Sequence, residues 1–175
     1  MKNKTLHLLS LVILTSFLHF SCKKKDTNLL NGSTCTTAIN GNSWTPNSIR
    51  ALSYKDTMIS ISIELTQKDR YKTVYREEGL SLLIEKKLTT QALTRNLDGP
   101  RCRYFTYNDQ GHARSETFEV LESADNWFEI TEANDDYTKI KGNFEVTLIK
   151  TDSATAPYRY PDTLVFKNGT FDISY

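Results

Sequence analysis

The sequence predicts an all-β protein built as a single antiparallel β-sandwich of about 8–10 strands, with a small closed β-barrel as the alternative. Three observations carry this. Val, Ile, Thr, Tyr, Phe and Trp recur through the body of the chain, and long Ala/Leu/Glu/Lys stretches do not. Several short runs alternate apolar and polar residues with a period of two. Turn residues interrupt these runs every 8 to 12 residues or so. The 175 residues amount to one domain, and 38% hydrophobic with 25% charged residues is a globular composition.

The elements follow in order. Cys35–Asn40 and Ser43–Thr45 flank Asn40-Gly41, a pair suited to the positive φ values of a type I′ hairpin turn. Ile49–Tyr54 is a second run, turned by Lys55-Asp56-Thr57 into Met58–Leu65. There Ile59, Ile61, Ile63 and Leu65 share one face against Ser60, Ser62 and Glu64, the clearest strand in the chain. Gln67–Glu78 is densely charged and reads as a loop or ragged edge. Leu80–Glu85 places Leu80, Leu82 and Ile84 on one face, and Leu88–Leu97 reads as a short helix or an irregular stretch. Arg101–Tyr107 and Ala113–Leu121 form a hairpin around Asn108–Gly111. Trp127–Thr131, Ile140–Lys150 and Thr163–Tyr175 complete the strands, with Lys167-Asn168-Gly169 as a tight turn and Phe171, Ile173 and Tyr175 facing the core.

Ahead of this domain (35–175) stand two other segments. Met1–Lys4 is a short positive region, and Leu6–Phe20 is a mostly apolar stretch too short for a membrane span of about 20 residues. Together they have the form of a signal peptide, 1–21. Ser21-Cys22 follows directly, and a small residue before Cys at this place resembles the lipobox of bacterial lipoproteins. The usual Leu and small residue upstream are replaced by His19 and Phe20, with Leu18 one place further back. The resemblance implies cleavage before Cys22 and thioether linkage of Cys22 to diacylglycerol. Residues 22–34 then form a lipidated Cys and a polar tether, whose 12 residues Lys23–Thr34 span about 20 Å.

Short motifs extend the resemblance. Ala38-Ile39-Asn40-Gly41-Asn42-Ser43-Trp44 follows the tether, and Lys141–Leu148 and Asn168–Tyr175 carry "GxF" and "NGxFxxxY" patterns. In these the chain resembles a family of small Bacteroidota lipoproteins of unknown function. The resemblance implies a β-rich domain on the outer membrane of a Gram-negative bacterium, lipid-anchored, with the periplasmic or cell-surface face left open. It supplies no catalytic residues.

Composition narrows the function. A net charge of +1 excludes a strongly basic nucleic-acid binder. Loss of the leader removes Lys2 and Lys4 and two of three His, leaving 20 basic against 21 acidic side chains and only His112. With Cys22 lipidated, Cys35 and Cys102 are the remaining thiols, so neither a His-rich zinc site nor a CxxC pair site can be built. The seven Gly residues stand singly, so there is no phosphate-binding glycine loop, and GxSxG and HExxH are absent. No cofactor, metal site or catalytic residue is expected.

The remaining candidates are these. Cys35 and Cys102 form a disulfide or two buried thiols, since an exported protein meets an oxidising compartment. His112 near Asp109 and Ser115 reads as a solvated turn. Glu64, Glu85, Glu129, Glu145 and Asp172 fall on the polar phase of strands. Glu132–Asp136 is an oxygen-rich turn without calcium-loop spacing. Tyr158, Arg159 and Tyr160, held between Pro157 and Pro161, read as a contact loop or a lid over one end of the sandwich. Thr57, Ser153 and Thr163 each stand in an Asp-Ser/Thr-apolar triplet resembling the O-glycosylation acceptor of Bacteroidota. The expected function is a non-catalytic binding or accessory module, lipid-anchored in the cell envelope, with an envelope protein or glycan as partner. The alternative is a glycan- or peptide-acting enzyme using surface carboxylates.

Anchoring gives the first prediction. Cys22→Ser should abolish incorporation of radiolabelled palmitate and detergent-phase partitioning; membrane fractionation equal to the wild type would instead indicate an uncleaved apolar anchor.

Overall fold

The structure is a computed structural model, which describes residues 32–68, 70–71, 73–107, 114–153 and 159–175. The described residues form eleven strands and no helix. In chain order these are β1 (Thr34–Ile39), β2 (Asn42–Trp44), β3 (Ser48–Tyr54), β4 (Met58–Lys68), β5 (Val74–Glu85) and β6 (Thr90–Ala92). There follow β7 (Arg101–Tyr107), β8 (Arg114–Val120), β9 (Trp127–Ala133), β10 (Lys139–Ser153) and β11 (Thr163–Ser174).

All belong to one antiparallel sheet in the order β2-β1-β11-β10-β8-β7-β5-β4-β3, folded as a sandwich. The sheet is not closed, so the barrel alternative does not form. The long β10 is shared: β8 pairs with its Leu148–Ser153 end and β9 with its Ile140–Glu145 end, while β6 pairs with β9. Strand directions alternate along the main path. One rim therefore holds the start of β1 and the ends of β11, β5 and β3. The other holds the β1–β2 turn, the start of β5 and the β10–β11 connection.

Period-two alternation builds the core. Ile59, Ile61 and Ile63 of β4, Leu80, Leu82 and Ile84 of β5, and Val146 and Leu148 of β10 are all buried. The Asn40-Gly41 turn has φ of 50° and 81°, as its residue types demand.

Five expectations are corrected. Strands number eleven, more than the sequence expectation. Residues 74–78 are strand, because four further register pairs, from Leu65↔Glu78 to Lys68↔Val74, lengthen the β4–β5 ladder past the apolar segment. Leu88–Leu97 contains no helix; Thr90–Ala92 is strand, paired to Trp127–Glu129. Lys167-Asn168-Gly169 is not a turn but a bulge inside β11. Between Phe166 and Gly169, β11 advances three residues while β10 advances two, and Asn168 has φ of 53°. That extra residue inverts the phase: Leu164 and Phe166 face inward before it, Phe171 and Ile173 after it. Tyr175, past the end of the strand, is exposed instead of buried.

The bulge also seats two rings on two glycines. A Cβ at Gly169 would lie 2.5 Å from the Phe144 ring, and one at Gly142 would lie 2.4 Å from Phe171 and 1.9 Å from the Glu129 carbonyl oxygen. Phe171 in turn stacks on Phe128 at 4.7 Å between centroids. Because backbone as well as ring blocks that place, Gly142→Ala should cost about 3 kcal/mol. Gly99→Ala, where a Cβ meets nothing closer than 3.5 Å, should leave the melting temperature nearly unchanged. Thermal melts of the two variants check this.

Candidate functional site

The unusual chemistry lies at the rim that holds the β1–β2 turn. Glu78 on β5 and Glu116 on β8 are 0% and 1% exposed, the two fully buried carboxylates among the described residues. Strand phase puts them there. Glu78 is in step with Leu80, Leu82 and Ile84, and Glu116 with Phe118 and Val120.

An isolated buried carboxylate is costly, so both are compensated. Each Glu78 oxygen receives three donors. Oε1 accepts from Arg76 Nε at 2.6 Å, Tyr160 OH at 3.0 Å and Arg159 Nη1 at 3.4 Å. Oε2 accepts from Tyr104 OH at 2.6 Å, Trp44 Nε1 at 3.0 Å and Arg76 Nη2 at 3.2 Å. Burial pushes the Glu78 carboxyl up, but hydrogen bonds from Arg76 and Tyr104 and the Arg76 charge outweigh it and hold the group below the ordinary value of 4.5. Burial, with the Glu78 charge beside it, raises Tyr104 well above the usual tyrosine range, so its hydroxyl stays a donor.

Glu116 is held differently. Lys150 Nζ lies 3.0 Å from Oε1, and Thr106 Oγ1 donates to Oε2 at 3.3 Å. The backbone N–H groups of Arg159 and Tyr160 donate to the same carboxylate at 3.1 and 3.3 Å. Lys150 also donates to the Tyr160 carbonyl at 2.8 Å. The Tyr160 ring stands edge-on to Tyr104 and Phe118. Residues 159–160 are thus strapped across the end of the core by both acids, one through backbone and one through side chains.

Beside the strap is a concavity of about 330 Å³ lined by Asn40, Asn42, Ser43, Trp44, Arg76 and Arg159 together with Ile39, Tyr160 and Pro161. Its floor is fixed. Trp44 is buried against Tyr104 and Phe166, and Asn40 is tied to β11 by its side chain, accepting from Val165 N–H at 2.8 Å and donating to Thr163 O at 3.3 Å.

The sequence candidates are distributed as follows. Arg159 and Tyr160 belong to the strap, which has the placement of a lid; Tyr158 lies outside the described residues, as do Cys22 and His112. Cys35 and Cys102 are separate, buried thiols, on β1 and β7 with three strands between them in the sheet order. Burial pushes the Cys35 thiol up to about 12 and raises Cys102 as well, so both stay protonated. Thr57 and Thr163 are exposed, and Ser153 ends β10. In the Glu132–Asp136 turn, Asp136 accepts from the Thr138 backbone and hydroxyl, and Asn134 caps Lys139 N–H. No cluster of three His, Cys, Asp or Glu side chains suited to a metal occurs among the described residues.

Sequence reasoning missed Glu78, Glu116, Arg76 and Lys150. The signal existed for the acids, since each sits on the apolar phase of its strand.

Comparison with protein-family models, with curated proteins and with solved structures found no match.

The cluster makes a pH prediction. A carboxyl whose folded value lies below its unfolded one stabilises the fold fully above the unfolded value, and that stabilisation is lost as pH falls through the folded value. Wild-type stability should therefore fall on acidification below about pH 4.5. Glu78→Gln should flatten that slope and, by removing the carboxylate that receives Arg76 at 2.6 Å inside the sandwich, cost about 3 kcal/mol at neutral pH. Urea melts across an acid pH series read both effects.

Proposed function

We propose that the protein is a lipid-anchored binding module of the cell envelope, held through Cys22 and a flexible tether, and that it captures an envelope protein or glycan in the concavity beside the 159–161 strap. The observation that carries this reading is a rigid polar concavity at the rim opposite the one where the tether joins β1. The leader, the lipobox-like Ser21-Cys22 and the resemblance to small Bacteroidota lipoproteins support an outer-membrane location.

The site favours holding over reacting. A catalytic carboxyl needs an exchangeable proton near working pH or an open lone pair facing substrate. Glu78 is kept ionised with both oxygens occupied, and Glu116 is closed by Lys150, Thr106 and two backbone amides. Arg76, Arg159, Asn42 and Ser43 present donors to a polar or acidic ligand at little ordering cost. Of the three glycosylation triplets, the one ending β10–β11 places Thr163 exposed at this same rim, and a glycan there would border the concavity.

Site-specific photocrosslinking in cells tests the reading. A photoreactive residue at Ser43 should yield a defined covalent adduct, whereas one at exposed Thr131 should not. Equal labelling from both positions, or none from Ser43, would remove the concavity as the binding site.

A further inference from the structure

We infer that the opposite rim, where the tether joins β1, rests on an anionic lipid surface, with Leu52, Tyr54 and Leu88 at headgroup level and Lys55, Lys86 and Lys87 against lipid phosphates. The inference takes the lipid anchor from the reading above but concerns a different face of the molecule.

Three observations converge there. The first is apolar exposure. Leu52 and Tyr54, on the outward face of the edge strand β3, are 69% and 45% exposed, and Leu88, just past β5, is 55% exposed. A water-facing monomer has no use for three such side chains at one end. The segment after β5 is tied to the β3–β4 tip: Lys86 Nζ donates to Ser53 Oγ at 2.8 Å, and Lys86 N–H donates to Thr57 O at 2.8 Å. Ser53 alternates with Leu52 and Tyr54, so the two groups flank this tip from its two faces.

The second is charge at the β3–β4 corner of this rim. There Lys55, Lys86 and Lys87 outnumber Asp56 and Glu85, and Lys87 is paired with Glu85 at 2.5 Å, while Asp135 and Asp136 stand apart in the β9–β10 turn. The Lys55 ammonium stands 5.5 Å from the Tyr54 ring centre, an apolar stem with a charged end. Leu and Tyr beside Lys is the composition of a surface that sits in the headgroup layer of an acidic bilayer.

The third is position. Ser33, just ahead of β1, is pinned to the end of β11: its hydroxyl donates to Ser174 O at 3.3 Å and accepts from Ser174 N–H at 3.0 Å. By strand direction the end of β3, the start of β4 and the end of β5 share this rim. A tether of about 20 Å, opening with Lys23-Lys24-Lys25, keeps that rim near the headgroups. The concavity then faces away from the bilayer, toward whatever it captures.

The test uses the mature, unacylated chain, residues 22–175 carrying Cys22→Ser and made without the apolar 1–21 leader, so that only the folded surface and the tether lysines can hold it. Sedimentation with phosphatidylcholine vesicles, and with vesicles containing an equal part of phosphatidylglycerol, should show binding to the second alone. Lys55→Glu/Lys86→Glu/Lys87→Glu should lower that binding at least about tenfold. Leu52→Ser/Leu88→Ser should weaken it as well, most visibly at high salt, where screening leaves the apolar contribution. All five side chains are surface groups, and unchanged thermal melts verify that both variants fold. Unaltered binding by the two variants would assign the contact to Lys23–Lys25 and overturn the inference. So would equal binding to both vesicle types, or a concentration-dependent dimer abolished by Leu52→Ser, which would give the face to a second copy. A glycan found on Thr57 by mass spectrometry would also overturn it, because it would hold the β3–β4 tip off the bilayer. Palmitate labelling of Cys22 decides the anchor separately, so the two ideas can fail independently.

Discussion

The polar end of this molecule depends on one constraint: two carboxylates are buried in an apolar sandwich and must be compensated there. Desolvation alone would drive Glu78 toward the neutral form, and Arg76 and Tyr104 prevent this. Lys150 faces Glu116, and the two strap residues complete the shells, Tyr160 reaching Glu78 with its hydroxyl and Glu116 with its amide. The consequence is geometric. A segment that joins β10 to β11 is fixed to β5 and β8, strands it does not pair with, so the end of the sandwich is closed by ion pairs and hydrogen bonds instead of by a further strand. Trp44 is drawn into the same network through its indole N–H, which sets the floor of the concavity.

The other end is organised by packing. β10 and β11 run the full height of the sheet, and one extra residue in β11 changes which side chains face inward half-way along. Above the bulge Phe166 lies against Trp44 and Tyr104; below it Phe171 stacks on Phe128. Gly142 and Gly169, like Gly79 under Phe105, are positions where a ring from the neighbouring strand lies on the backbone. The lower half can thus be aromatic and dry, while the upper half accommodates charge. That division gives the domain two unlike rims, one polar and concave, the other bearing exposed Leu, Tyr and Lys.

Such a division suits the proposed anchoring. On that reading an anchor joining at the Ser33 rim would leave the opposite rim as the surface presented to the envelope, and a ligand site gains from being rigid where it is presented. The ionised state of Glu78 belongs to this logic. It serves as a fixed counter-charge that orients Arg76, Arg159, Tyr104 and Tyr160, and its oxygens have no room for a substrate proton.

What the sequence determined by itself is local. Alternation in Ile59–Leu65 and Leu80–Glu85 determined two strands and their inward faces, because the strand period is two whatever the partner. Asn40-Gly41 determined its turn, because few other residues tolerate positive φ at both places. Leader, Cys and tether could be read only as an expectation, from their order and composition. The tertiary structure decided what depends on partners. Charge density hid the strand at 74–78, because a ladder with β4 and four compensating side chains far apart in the chain are what make Glu78 tolerable inside. Asn168-Gly169 has the residue types of a turn, and only pairing with β10 on one side and β1 on the other turns it into a bulge. Arg159 and Tyr160 could be singled out by type, but their fastening to Glu78 and Glu116 lies about 80 and 40 residues away along the chain. No local pattern encodes a hydrogen bond over that distance; the fold alone brings its two ends together.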